Sequence, residues 1–244
     1  MKVIAINGSP MMDQGNTALL LNPFLEGMRE AGAEVELFYA KKLKINQCQG
    51  CKNCFFSTPG KCSQKDDMEV VLPKLAEADI WVFATPVYCD GMTGRLKTLI
   101  ERMLPLKEPA YELRDDHLRH PIRAGVKRGK VVLVSNCGYW EMDNFDPLIS
   151  QIEAISKSAD REFAGALLRP YGYILGKLVQ VGSISDSQVG DIFDAAKEAG
   201  RQLVADGKMS SETLKVVSRQ VLSREEFMDQ INRAVQLKMG AEKG

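Results

Sequence analysis

The chain has 244 residues, 45% hydrophobic and 26% charged, the balance of an ordinary globular protein rather than a disordered or fibrous one. Lys and Arg number 32, as do Asp and Glu, so no charge excess argues for wrapping nucleic acid. No run approaches the ~18 apolar residues of a membrane span, and the apolar stretch in the opening MKVIAINGSP is too short for a signal peptide.

A soluble cytoplasmic protein is therefore expected, in which clustered cysteines stay reduced and serve as metal ligands or redox groups. Short β-branched runs alternate with longer stretches of helical periodicity. The first strand, Val3–Ile6, enters the loop NGSPMMDQGNT and a helix near 16–31. The second, Val35–Tyr39, is followed by a departure over 40–66 that holds four of the six cysteines, then by a helix near 67–78. The third, Ile80–Thr85, leads to a helix near 94–104 and a charged excursion over 105–130. The fourth, Val131–Ser135, precedes a helix near 145–159, and the fifth, Phe163–Leu168, a helix near 188–206.

Strands separated by helices require right-handed crossovers and a parallel sheet covered on both faces. Five such units match the flavodoxin-like doubly wound α/β fold, strand order 2-1-3-4-5. The sequence reads as one domain over 1–207 with a cysteine-rich insertion at 40–66 and a helical extension over 208–244. In that extension Ser223 and Glu226 form a capping-box pattern, and Phe227, Met228, Ile231, Ala234 and Val235 share a helical face. Such a helix docks either on its own domain or on a second subunit.

The loop after the first strand lies where an open α/β sheet binds phosphate, because free helix N–H groups and the helix dipole point at the anion. It matches neither the dinucleotide pattern nor the nucleotide-triphosphate loop, and it has no Lys or Arg. Neutral donors such as Ser9, Asn16 and Thr17 suit one terminal phosphate; a tight turn with a polar helix cap would use the same letters. The stretch GSPMMDQGNT resembles the phosphate loop of the NADPH-dependent FMN reductase and flavodoxin-like superfamily. That resemblance implies that Ser9, Asn16 and Thr17, with Pro10 and Gly15 of the same loop, hold the FMN phosphate. Met11 stands where the family has arginine, which removes any charge assistance from that position.

Two further loops reach the same sheet edge. ATPVYCDGMTGRLKTLIER, at 84–102, resembles the segment of that family that wraps the isoalloxazine ring, implicating Thr85, Pro86, Val87, Tyr88 and Gly91. SNCGYWEMDNF, at 135–145, brings Asn136, Cys137, Gly138 and Tyr139 to the ring, with Trp140 beside them. Either loop could be an ordinary turn with aromatic packing. The thiols of Cys89 and Cys137 are assigned no chemistry, since Cys is commonly a small buried hydrophobe. His117 and His120 read as exposed polar residues of the charged excursion.

Cys48, Cys51, Cys54 and Cys62 form the spacing C-x2-C-x2-C-x7-C. Structural zinc more often uses two separated C-x2-C knuckles. The triple x2 run is instead how a bacterial [4Fe–4S] ligand run opens, although here the fourth cysteine is delayed and Ser63, not proline, follows it. Zinc, an empty thiol cluster and a redox-switch disulfide remain open. Followed by the helix start Asp66-Asp67-Met68, the run resembles the iron–sulfur flavoprotein family. The resemblance implies that Cys48, Cys51, Cys54 and Cys62 ligate a [4Fe–4S] cluster, and that electrons pass between cluster and FMN in a homodimer or homotetramer. Strand two is an edge strand in this order, which places the thiols at the rim.

The expected function is an FMN-dependent oxidoreductase taking electrons from NAD(P)H or a ferredoxin-like donor to a small-molecule acceptor. The chemistry is carried by FMN, so no catalytic side chain is required. The alternatives are an NAD(P)H-dependent FMN or quinone reductase whose cysteines bind zinc or nothing, and a non-enzymatic FMN electron-transfer module.

Overall fold

The computed structural model describes residues 1–180 and 186–241; the last three residues of the expected 208–244 extension lie outside them. In chain order the elements are β1 (Lys2–Asn7), α1 (Asn16–Glu30), β2 (Glu34–Tyr39), α2 (Met68–Glu77), β3 (Ile80–Pro86), α3 (Gly94–Glu101), β4 (Glu112–Arg114) and β5 (His117–Arg119). They continue with β6 (Lys130–Asn136), α4 (Asp146–Ser158), β7 (Glu162–Arg169), α5 (Gly172–Gln180), α6 (Asp186–Ala205), α7 (Ser211–Ser218) and α8 (Arg224–Ala241).

The five long strands form one parallel sheet in the order β2-β1-β3-β6-β7, which is the flavodoxin-like order read from the sequence. Alternate side chains divide its core in two. Val3, Ala5, Val82, Ala84, Val132 and Val134 face α1 and α6. Ile4, Ile6, Trp81, Phe83, Val131 and Leu133 face α2, α3 and α4. Strand β3 is buried along its whole length, as expected of a central strand between two helical layers.

Two helices escaped the sequence reading, α5 and α7, and so did the antiparallel hairpin β4–β5 inside the charged excursion. Tyr171 ends the strand β7 connection in a left-handed conformation, φ 39°, and the chain turns at once into α5. No hydrophilic spacer separates that strand from that helix, so local pattern does not mark the boundary. The capping box of α8 forms as expected: Ser223 N donates to Glu226 Oε2 at 2.8 Å, and Glu226 N donates to Ser223 Oγ at 3.2 Å. Of the predicted apolar face, Phe227 packs against Tyr171 with ring centroids 5.3 Å apart, while Met228 and Val235 are exposed. Among the described residues, no helix is long and apolar enough to cross a membrane.

Candidate functional site

All five sheet strands run the same way, so the loops after β1, β3, β6 and β7 gather at one edge. The first loop is braced by Asn7, whose Oδ1 accepts from Ser9 N at 2.8 Å and whose Nδ2 donates to Met12 O at 3.3 Å. Gly8 packs close to the N-cap of α3: a Cβ there would stand 2.8 Å from Thr93 Oγ1. Gly15 is the N-cap of α1 and offers no side-chain cap, which leaves first-turn N–H groups of that helix facing the loop. Met11 N donates to Ser9 Oγ at 3.3 Å, an arrangement that leaves the Ser9 hydroxyl proton available.

The loop after β3 closes in a two-residue turn. Tyr88 and Gly91 exchange backbone hydrogen bonds of 2.9 and 3.1 Å, and Cys89 and Asp90 between them take φ of 47° and 59°. Two successive positive φ values define the tight hairpin turn that Asp tolerates better than most residues. This turn holds Tyr88 outward, 52% exposed. From the loop after β6, Asn136 Oδ1 accepts from the Thr17 hydroxyl at 2.6 Å, a buried contact, so the two loops are pinned together across the edge.

Between these loops lies a cleft of about 450 Å³, within the usual range for a small-molecule site. Ser9, Gly15, Asn16 and Thr17 line it from the first loop, Pro86, Val87 and Tyr88 from the second, and Asn136, Cys137 and Gly138 from the third. The remaining expected positions stand elsewhere. Thr85 is buried below the cleft, where its hydroxyl donates to Pro86 O and accepts from Thr93 N. Pro10 lines a neighbouring cavity, and Gly91 serves the turn. Tyr139 is 63% exposed, and its carbonyl accepts from Tyr171 N. Trp140 turns away from the cleft, donating from Nε1 to Leu222 O at 3.1 Å.

The sequence reading missed the wall contributed by α5, where Tyr173 and Gly176 line the cleft. Gly176 approaches α1 so closely that a Cβ would meet Asn16 Oδ1 at 2.1 Å. Among the described residues, no charged side chain lines the cleft. An anion there would be held by uncapped N–H groups, hydroxyls and amides. Its donor set fits a phosphate monoester attached to a flat, partly apolar ring system.

The cysteine segment leaves β2 at the sheet edge. Cys48 and Cys51 are exposed, Cys62 is half-buried and Cys54 is buried. All four line one small cavity, about 20 Å³, whose Cys48 and Cys51 side is exposed to solvent. Among the described residues, no three His, Cys, Asp or Glu side chains converge as the ligands of one metal ion. Four thiolates on one zinc would stand only about 3.8 Å apart. Four thiols lining one cavity are the donor set that a thiolate-ligated cluster would take. Hydrogen bonding from Asn53 N–H, then the Ser63 hydroxyl, pulls the Cys51 thiol pKa down. Burial, then the neighbouring Cys62 sulfur, pushes that of Cys54 up.

The loop is held from below and from the side. Asp66 and Arg102 form an ion pair of 2.6 Å, their side chains 4% and 1% exposed. The excursion braces the other flank: Arg123 Nη2 donates to Cys54 O at 3.2 Å, and the His120 ring stands 5.0 Å from that of Phe55. A second cavity of about 520 Å³, lined by Pro10, Leu43, Ile45, Gln47 and Tyr88, lies between the cleft and the cysteine loop. It shares Tyr88 with the cleft and reaches within one residue of Cys48.

Known proteins resemble this chain. An iron–sulfur flavoprotein of Archaeoglobus fulgidus is 39% identical over 129 residues, 53% of this chain, and the match spans 62% of that relative's length. Another iron–sulfur flavoprotein of the same organism is 29% identical over 189 residues, covering 78% of this chain and 74% of the relative. The FMN-dependent NADH-azoreductase of Bacillus anthracis, solved with FMN, superposes with a TM-score of 0.59 at 14% identity, over 83% of this chain and 99% of its own; this likeness shows the fold alone. The family model for NADPH-dependent FMN reductases matches residues 1–134, just over half of the chain and all three strands that frame the phosphate loop, the cysteine loop and the Tyr88 turn. On that match the chain belongs to the NADPH-dependent FMN reductase family.

Proposed function

We propose that the chain is an FMN-dependent oxidoreductase whose four clustered cysteines hold a [4Fe–4S] cluster. The observation that carries this reading is the convergence of Cys48, Cys51, Cys54 and Cys62 on one cavity beside a neutral cleft at the same sheet edge. Bound FMN supplies the redox chemistry, taking up a two-electron equivalent and releasing electrons singly. The residues supply position. Ser9, Asn16 and the uncapped first turn of α1 would hold the phosphate, Pro86 and Val87 would present a rigid backbone edge, and Tyr88 would flank the ring. Cys48 and Cys51, exposed at the rim, suit electron entry from a docking partner of the ferredoxin class. A nicotinamide donor would instead stack against the ring beside Tyr88. Homo-oligomerisation is consistent with the exposed apolar residues Met228, Val235, Leu237 and Met239 on α8.

Anaerobic purification, followed by counting iron and acid-labile sulfide against FMN, tests this reading. Roughly four irons per FMN are expected, and Cys54→Ser is expected to lose the iron while keeping the flavin. Clean flavin bands with no iron would leave a plain flavin reductase, and zinc in its place would identify a structural thiol site. Full iron with reversible ferredoxin reduction, but without small-molecule turnover, would make the protein an electron carrier.

A further inference from the structure

Arg102 was not marked by any sequence motif, yet it is among the most deeply buried large side chains of the protein, 1% exposed. It stands at the C-cap of α3, and its side chain lines the cavity of the four cysteines. Nη1 is fully engaged and Nη2 makes one hydrogen bond. Nη1 donates to Asp66 Oδ2 at 2.6 Å and to Asn46 O at 2.7 Å, and Nη2 donates to Asp66 Oδ1 at 3.1 Å. Asp66 is itself anchored, accepting from Asn46 N at 3.0 Å and from Met68 N at 3.1 Å. The guanidinium plane is therefore fixed.

The third nitrogen, Nε, is buried and has no hydrogen-bond partner. Leaving such a donor unpaired costs about 1–3 kcal/mol, so its retention calls for an acceptor. Arg102 lines one cavity with the four cysteines, Cys62 among them. Burial works against the Arg102 charge, but a hydrogen bond to Asp66 and its charge, with the charge of the Cys62 sulfur and a side-chain hydrogen bond to it, raise its pKa. The other charged residues lining the cavity do not compete for this role: Lys52 is exposed, and Glu101 is exposed and paired with Lys97.

We propose that Arg102 is a positioning residue for the cysteine-held cluster, its Nε–H reserved for the Cys62 thiolate sulfur and its charge stabilising the more negative, reduced state. This rests on the cluster reading above. Reduction adds one electron to the cluster and no proton to Arg102, which remains cationic throughout. Hydrogen bonds to the sulfurs and nearby positive charge both raise the potential of an iron–sulfur centre. Asp66 spreads part of that charge away from the cavity while locking the donor's direction.

The test uses the full chain, purified anaerobically as Arg102→Gln and Arg102→Lys beside the wild type. Iron, sulfide and FMN are counted first; a wild type without iron removes the cluster reading itself and this inference with it. With iron present, the cluster midpoint potential is measured by a redox titration followed by electron paramagnetic resonance. Arg102→Gln is expected to shift the one-electron equilibrium roughly tenfold toward the oxidised cluster, about 59 mV, with the flavin potential unmoved. Arg102→Lys, which keeps the charge but has no Nε–H, is expected between the two and carries the test if the Gln variant does not fold. Unchanged potentials in the iron-loaded variants would overturn the proposal. So would loss of iron from both variants with FMN retained, since that would make Arg102 only a brace for the loop.

Discussion

Asp66 and Thr17 illustrate how single side chains serve the site without touching a ligand. Burial pushes the Asp66 carboxyl pKa up, but hydrogen bonds from Arg102 and from the N–H groups of Asn46 and Met68 outweigh it and hold the group below its ordinary 3.8. A depressed carboxyl contributes stability that is complete above its unfolded value and is lost as pH falls through the lower folded one. The urea midpoint of the wild type is therefore expected to fall as pH is taken below 3.8. Asp66→Asn is expected to be about 3 kcal/mol less stable near neutral pH and to show a shallower acid loss; equal acid slopes would contradict the assignment. The sequence predicts Thr17 as a phosphate donor; in the structure it lines the cleft and its hydroxyl donates to Asn136 Oδ1. Its backbone N–H stands in the first turn of α1. Nothing in the letters distinguishes these two uses of one hydroxyl.

Helices α1 and α6 pack with almost no space between their backbones. A Cβ on Gly27 would lie 1.8 Å from Lys197 O, and one on Gly200 would lie 2.1 Å from Phe24 O. The two glycines are reciprocal, each accommodating the other helix, and the contact is flanked by ion pairs of Lys197 and Arg201 with Glu30. Gly→Ala inside an exposed helix ordinarily gains up to ~1 kcal/mol. Here the sign is expected to reverse, Gly27→Ala costing about 1–3 kcal/mol through overpacking, as chemical denaturation would register. Asn16 at the start of α1 lines the cleft, so on the proposed function a displaced α1 is also expected to weaken FMN binding. The excursion over 105–130 is a second element whose purpose is not local. Its hairpin exposes Leu113 and Leu118, while the return segment delivers Arg123 to Cys54 and His120 to Phe55.

In the molecule as a whole, the last helix is the part least committed to the core. Leu222 and Val221 are tied to Trp140 and Tyr171, and Phe227 adds a ring contact, but beyond it Leu237 is 76% exposed. Removing residues from 224 onward is expected to lower the thermal midpoint by no more than about 3 °C, on the order of 1 kcal/mol. If α8 serves an oligomer, the same truncation reduces the assembly size seen by light scattering; an unchanged size would assign the helix to its own domain.

The order of the sheet was legible because its strands are β-branched runs between amphipathic helices, and right-handed crossovers leave few ways to connect them. The cysteine loop and two walls of the cleft were legible for a different reason: short spacings such as C-x2-C-x2-C and the turn TPVY report residues that are neighbours in the chain as well as in space. Contacts between segments far apart in sequence carry no such mark. Arg102 meets Asp66 across 36 positions, Thr17 meets Asn136 across 119, and α5 closes the cleft from beyond β7. Those pairings depend on which side chains the packed layers bring together. Local chemistry named the loops, and burial then chose which of their atoms remain free to bind.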